Sequence, residues 1–371
     1  MKKIVFITGT RSDFGYIKSL INICIKSNLY EVFIFATGMH LSSKHGYTIN
    51  DIYENKYKNV RAYLSYKDNA TMDIALANTI QGFSKYVKEI EPDLICLMGD
   101  RTEMLAGAIV GALNNILTIH LQAGDTSGTI DDSMRHAISK MSHAHFCANE
   151  TAKQRLLRMG ENEYNIFVIG SPSIDNILNI DLELYEAVKK IYKIEFDKYG
   201  ILIFHPVITE IEDIKKQIKN IVDIVIKSEL NYIVINSNND NGNDFIFDEY
   251  KRLENNERFR IFSSIKYEYF ITLLSNAQFM IGNSSSAIIE APYFSIPVVN
   301  IGTRQKGRYL TNNIFNCGYD KKDIEKNIEI VLKYDDKIAG AYGKGNSAEL
   351  FLEILNSDNF WEIKKQKEYN I

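Results

Sequence analysis

Between His120 and His136 the chain reads HLQAGDTSGTIDDSMRH, a turn-rich stretch that gathers Gln122, Asp125, Asp131, Asp132 and Arg135. Carboxylates can take and return protons, and a guanidinium can grip a diphosphate or orient a carboxylate. Such a set suits acid–base work on a sugar or a phosphate ester. An apolar run, LTIHLQ (117–122), precedes it and a helical periodicity follows. The cluster therefore sits at the carboxyl end of a strand, where α/β sheets bind their ligands. Asp131 and Arg135 are four residues apart and share a helix face. Thr129 and Asp132 fit a capping box, which gives Asp132 a structural reading. Ile130, Met134, Ala137, Ile138 and Met141 form the apolar stripe of that helix, and His120 and His136 read as structural histidines.

Other motifs recur at the same kind of place. GTRSD (9–13) and GDRTE (99–103) each follow an apolar run and open a helical one, putting Arg11, Asp100 and Arg101 at strand ends. A helix N-terminus with a nearby arginine is a site for a bound phosphate. The alternative is capping by Asp13 and Asp100. GTRSD is not GxGxxG, so a dinucleotide fingerprint is poorly matched. Further on, HPV (205–207), NSNND (236–240), GNSSSAIIE (282–290) and GTRQ (302–305) also end apolar runs. GNSSS is a glycine and hydroxyl-rich turn entering a helix, fit to cradle a diphosphate, with Glu290 placed to accept from ribose hydroxyls. Arg304 is a second candidate phosphate clamp. No His/Cys spacing or DxD loop suggests a metal.

The elements that must position these residues alternate almost throughout. Runs at 3–9, 31–38, 93–100, 117–122, 144–149 and 166–170 read as strands, with helices between them. The pattern pauses at 171–183 and resumes with strands at 200–206, 232–238, 259–264, 277–283 and 297–302. The strands are continuously apolar, as in parallel sheets covered on both faces. The expected fold class is α/β, with two Rossmann-like βαβ domains in tandem. The segment from Ala348 onward is amphipathic. At 371 residues the chain exceeds the usual size of one core. A formal net charge of −4 and the lack of a basic block argue against nucleic acid. No apolar run approaches the roughly 20 residues a bilayer requires. The four cysteines form no CxxC pair and read as buried thiols. A cytoplasmic protein is expected.

Taken together, the motifs resemble the hydrolysing UDP-N-acetylglucosamine 2-epimerases of sialic acid biosynthesis, both the bacterial enzymes and the epimerase half of the bifunctional animal enzyme. These share GTR-[SA]-D, GDR, SGTIDDSxRHAIxK, HPV, GNSS and GTRQ, which stand here in the same order at 9–13, 99–101, 127–140, 205–207, 282–285 and 302–305. The resemblance covers nearly the whole chain. It implies the glycosyltransferase-B fold, with residues 1–172 and a returning C-terminal helix (about 348–371) as one domain and 173–347 as the other. It implies conversion of UDP-N-acetylglucosamine to N-acetylmannosamine and UDP through a glycal, with no cofactor and no metal. It places proton handling on Asp100 and Asp131, with Arg135 orienting them. Arg11, Arg101, His205, Asn238, Tyr267, Ser284, Ser285, Glu290 and Arg304 match nucleotide-binding positions. The implied partner is the nucleotide sugar, and the implied assembly a homodimer or homotetramer.

Two departures from that pattern stand out. Where the animal enzyme and many bacterial ones carry a glutamate, this chain has Gln122, which can hydrogen-bond a substrate but cannot take a proton. Either an aspartate is the base, or the substrate is a variant, or the residue is an introduced change. Nucleotide-linked N,N′-diacetylbacillosamine is the alternative substrate. Gly15 also replaces a serine that the animal enzyme places near the nucleotide. A glycosyltransferase of the same fold and a non-catalytic sugar-nucleotide binder are the readings from other classes.

Overall fold

Seven parallel strands form the sheet of the first unit: β1 (Lys2–Thr8), β2 (Tyr30–Ala36), β3 (Val60–Ala62), β4 (Leu94–Met98), β5 (Leu117–Leu121), β6 (Ala144–Cys147) and β7 (Ile166–Val168). The computed structural model describes residues 1–65, 70–126, 130–178, 184–237, 240–308, 310–338 and 340–367. The chain divides into two compact units, Met1–Asp125 with Asp131–Asn179 and Tyr342–Ile371, and Thr126–Ile130 with Ile180–Ala341.

The sheet order is β3-β2-β1-β4-β5-β6-β7. Every residue of β4 and β5 is buried, as expected for central parallel strands with helices on both faces. Val5, Ile7, Phe35, Ile95 and Leu97 of the strands pack with Phe83, Val87, Met104 and Ala108 of the helices Met72–Ile90 and Thr102–Leu113. The order reverses between β1 and β4, so the loops leaving those two strands diverge and open a crevice. GTRSD and GDRTE are those two loops.

The segment from Tyr342 completes this unit. Asp175, on the helix Pro172–Leu178, accepts from the backbone N–H groups of Ser347 (2.9 Å) and Ala348 (2.7 Å), two donors that the first turn of the helix Ser347–Leu355 would otherwise leave open. That helix inserts Phe351 between Phe6 and Phe146, with ring centroids 6.5 and 5.3 Å away.

The second unit has six parallel strands: β8 (Gly200–Ile203), β9 (Tyr232–Ile235), β10 (Phe259–Phe262), β11 (Phe279–Gly282), β12 (Val298–Ile301) and β13 (Ile314–Cys317). Their order is β10-β9-β8-β11-β12-β13, which reverses between β8 and β11. HPV leaves β8 and GNSSS leaves β11, so here too both motifs flank the switch point. The helix Ile214–Lys227 buries Ile214, Ile218, Ile221, Val222 and Val225 against the sheet, a 3.6-residue stripe. Both units are parallel-sheet α/β folds.

Two strands were absent from the sequence reading, β3 and β13. Each is an edge strand, with the partly exposed patterns Val-Arg-Ala and Ile-Phe-Asn-Cys. Covered on fewer sides, neither needs the continuous apolar run that marks the central strands.

Candidate functional site

In the first unit Arg135 ties the loop leaving β4 to the loop leaving β5. It projects from the helix Ile130–Met141, is 2% exposed, and pairs with the Asp100 carboxylate at the end of β4. Its Nη1 donates to the Gln122 carbonyl at 2.8 Å, just past β5. Gln122 lies in the left-handed region (φ 55°) and is buried, and its Nε2 donates to Ser171 Oγ at 2.9 Å. Ser171 Oγ in turn contacts Ser173 Oγ at 2.9 Å. Asp100, Gln122 and Arg135 are thus brought together. Asp131 is half-buried in the first turn of the same helix, one turn before Arg135. The capping box expected for Thr129 and Asp132 lies outside the described residues.

His120 braces this arrangement from below. Its Nε2 donates to the Gly99 carbonyl (2.7 Å), and its Nδ1 accepts from Ser139 Oγ (2.9 Å). A ring that accepts at one nitrogen is neutral, and burial, with Arg135 nearby, pushes its pKa down to about 3. The structural reading of His120 fits this geometry, and its link to Gly99 makes it a brace for Asp100.

The capping alternative for Asp13 and Asp100 does not hold. Thr10, not Asp13, caps the helix Arg11–Ser27, accepting from the Asp13 N–H at 3.1 Å. Asp13 accepts from the Gly9 N–H at 3.3 Å, and desolvation raises its pKa to about 6. Arg101 is the residue at the N-cap of the helix Thr102–Leu113, so Asp100 is not spent on capping. Arg101 Nε pairs with Glu103 at 3.3 Å, and Arg11 Nε with Asp51 at 2.5 Å. Glu103, which the sequence reading passed over, is 1% exposed and lies against the bare Cα of Gly9, where a Cβ would stand 2.8 Å from its carboxyl carbon. Gly9, at the end of the neighbouring strand β1, is the available signal.

In the second unit Asn283 joins the two switch-point strands. Its Oδ1 accepts from the His205 N–H (2.7 Å), its Nδ2 donates to the His205 carbonyl (2.8 Å), and it is fully buried. Its own carbonyl receives Arg304 Nη1 (3.2 Å) and Gln305 Nε2 (2.7 Å). One side chain and one carbonyl therefore gather the HPV, GNSSS and GTRQ loops. Gly282 before it has φ +127°, and a Cβ there would stand 1.9 Å from the Ile203 carbonyl.

Ser285 precedes the helix Ser286–Ile289 with no side-chain capping bond, and Ser284 Oγ accepts weakly from Ser286 N (3.3 Å). The helix ends at Ile289, and Glu290 follows it, fully buried. Tyr267 is buried at the start of the helix Tyr267–Ser275. Asn238 lies outside the described residues. Gly302 and Thr303 rest on Glu210 and Tyr319: Thr303 Oγ1 and Tyr319 Oη (2.7 Å) both donate to the Glu210 carboxylate. Glu210 and Tyr319 carry no motif that would have singled them out.

Residues 23–356 match the family model described as UDP-N-acetylglucosamine 2-epimerase. Over its whole length the chain is 38% identical to the UDP-N-acetylglucosamine 2-epimerase of Neisseria meningitidis, covering 99% of that protein. It is 34% identical to the UDP-N,N'-diacetylbacillosamine 2-epimerase (hydrolyzing) of Legionella pneumophila, over 96% of each. The crystal structure of the Methanocaldococcus jannaschii UDP-GlcNAc 2-epimerase, in complex with UDP-GlcNAc and UDP, superimposes with a TM-score of 0.81 at 23% identity, over 95% of this chain and 99% of that one. The fold is that of the solved UDP-GlcNAc 2-epimerases, the glycosyltransferase-B type. Among the described residues, no helix is long and apolar enough to cross a membrane.

Proposed function

The chain belongs to the UDP-N-acetylglucosamine 2-epimerase family, and from that premise we propose that it is a hydrolysing 2-epimerase that converts UDP-N-acetylglucosamine to N-acetylmannosamine and UDP. The observation that carries this reading is the 38% identity along the full chain to the Neisseria meningitidis enzyme. The geometry supports it: carboxylates beyond the carboxyl ends of β4 and β5 in one unit suit proton handling, and the glycine–serine turn with Arg304 in the other suits a diphosphate.

The C2 proton of the sugar is not beside a carbonyl, so it is not acidic in the ground state. Lengthening of the C1–O bond places positive character on C1 and acidifies C2. A carboxylate takes the C2 proton as the C1–O electrons leave with the diphosphate, giving the 2-acetamido glycal and UDP. Water then delivers a proton to the opposite face of C2 and a hydroxyl to C1, which yields the free 2-epimeric sugar. Gln122 cannot be the base, so Asp100 and Asp131 hold that role, with Arg135 orienting Asp100. Arg11, Arg101, His205, Asn238, Tyr267, Ser284, Ser285, Glu290 and Arg304 hold the nucleotide sugar. The product supplies sialic acid synthesis, the protein acts in the cytoplasm, and it assembles as a homodimer or homotetramer.

The second reading is the same reaction on a nucleotide-linked N,N′-diacetylbacillosamine. It is favoured by the 34% identity to the Legionella pneumophila protein. Incubating the purified chain with each nucleotide sugar in D₂¹⁸O separates the possibilities. The proposal expects free sugar carrying deuterium at C2 and ¹⁸O at C1, with unlabelled UDP. An epimerised sugar still joined to UDP would refute the hydrolysing assignment, and a glycoside formed on adding an acceptor would indicate a transferase.

A further inference from the structure

The carboxyl end of the helix Ile130–Met141 is held by a residue far away in the chain. Lys367 Nζ donates to the carbonyls of Ser139 (3.0 Å) and Ser142 (2.7 Å) and to Glu161 Oε2 (2.6 Å). The last carbonyls of a helix lack intrahelical partners and form its negative pole, so an ammonium there satisfies both the bonding and the charge. Glu161 is buried and is itself fixed by His145 Nε2 (2.8 Å) and Lys140 Nζ (2.8 Å). Although burial alone would raise it, these hydrogen bonds hold its pKa down to about 2. Two residues earlier, the Lys365 carbonyl accepts from His143 Nε2 (3.1 Å), and His143 Nδ1 accepts from the Thr118 N–H on β5 (3.0 Å).

The other end of the same helix carries the chemistry. Arg135 holds Asp100 and the Gln122 carbonyl, and Asp131 stands one turn earlier. Ser139 connects the two ends: its carbonyl takes Lys367, while its hydroxyl donates to His120, which donates to the carbonyl of Gly99 beside Asp100. A helix slides as a rigid body, and an axial shift of about 1 Å moves Arg135 off Asp100, a displacement that can cost on the order of 10²-fold in rate.

We propose that Lys367 is a positioning residue, a clasp on the carboxyl end of this helix that sets the placement of Arg135, Asp131 and Asp100. This rests on the epimerase reading for its activity assay, so one readout is independent of turnover. Lys367→Met removes the ammonium and keeps the bulk of the chain; Lys367→Arg restores charge and donors. In Lys367→Met, kcat should fall at least tenfold while the affinity for UDP stays within about twofold, and Lys367→Arg should recover most of the rate. Amide hydrogen exchange at residues 131–135 should quicken in Lys367→Met, whether or not the protein turns over nucleotide sugar. If Lys367→Met does not fold, Lys367→Gln decides the question by the same measurements.

Unchanged kcat and unchanged exchange at 131–135, with only a lower melting temperature, would overturn the clasp. A wild-type protein with no turnover, but with exchange that responds as described, would overturn the epimerase reading and leave the clasp standing.

Discussion

Arg135 gives Nη2 to the Asp100 carboxylate and Nη1 to the Gln122 carbonyl, so one buried guanidinium joins the ends of β4 and β5. A charge in that position, once its partner is removed, strands the other group in a poorly solvated site. Arg135→Met should lower kcat by about 10²-fold or more and change UDP affinity little. Steady-state kinetics beside calorimetric UDP binding check this, and equal losses in both would remove Arg135 from the chemistry.

Asp131 and the serine–arginine set of the second unit should separate in the same measurements. Asp131→Asn is nearly isosteric and removes a proton acceptor, so it should depress kcat by about 10²-fold or more with KM within a few-fold. Ser285→Ala and Arg304→Ala should instead raise the UDP Kd, Arg304→Ala by about tenfold, a charge-assisted contact. Three variants with the same pattern of loss would undo this division of roles.

The fold class was legible because the central strands β4, β5, β8, β11 and β12 are covered on both faces, and such strands announce themselves as unbroken apolar runs. The edge strands β3 and β13 escaped for the converse reason. Motif positions were legible too, since Gly9, Asp100, His205 and Asn283 all fall where apolar runs end. What holds the motifs was not. Asn283 bonds His205, 78 residues away in sequence, Tyr319 bonds Glu210 across 109, and Lys367 reaches Ser142 across 225. Such pairings follow from strand order, which local periodicity does not encode. The alternative of an Asp13 cap fails for a local reason: threonine at position 10 takes the same helix start.

Gly282 offers a test of the second unit alone. A methyl group there would meet the Ile203 carbonyl, which belongs to the β8–β11 pairing and has no freedom to retreat, and the backbone at φ +127° is closed to other residues. Gly282→Ala should cost about 3 kcal/mol or more of stability in that unit and abolish UDP binding. A variant that melts within a degree or two of wild type would show that the turn relaxes.

The first unit should weaken in acid before most carboxylates titrate. Burial, with Arg11 and Arg135 nearby respectively, pushes His40 and His120 from 6.5 to about 3. Their folded values lie below the unfolded one, so the unfolded chain binds their protons first as pH falls. The stability they contribute is present above pH about 6.5 and is lost toward pH 3, at up to about 1.4 kcal/mol per pH unit for each. Asp13, raised to about 6, acts in the opposite sense and adds stability as pH falls through that value. Two histidines outweigh one aspartate. Unfolding followed at pH 7 and 5.5 should show a clear loss, and Asp13→Asn should steepen it; a flat profile would mean that these rings are protonated in the folded protein.

Gln122 bears most directly on the chemistry. Its amide donates to Ser171 Oγ, which also contacts Ser173. A glutamate could keep its place there, because a hydroxyl rotates and can donate to a carboxylate as readily as it accepts from an amide. The left-handed backbone at position 122 is unaffected by the exchange of one terminal atom. Gln122→Glu should therefore fold as the natural chain does and differ from it chiefly in proton-accepting power. If Asp100 and Asp131 carry the proton transfers, kcat on UDP-N-acetylglucosamine should change by less than about fivefold, and its pH profile should keep its shape. A gain of 10²-fold or more would instead place the missing base at position 122. A gain confined to one of the two nucleotide sugars would identify position 122 as the residue that selects between them.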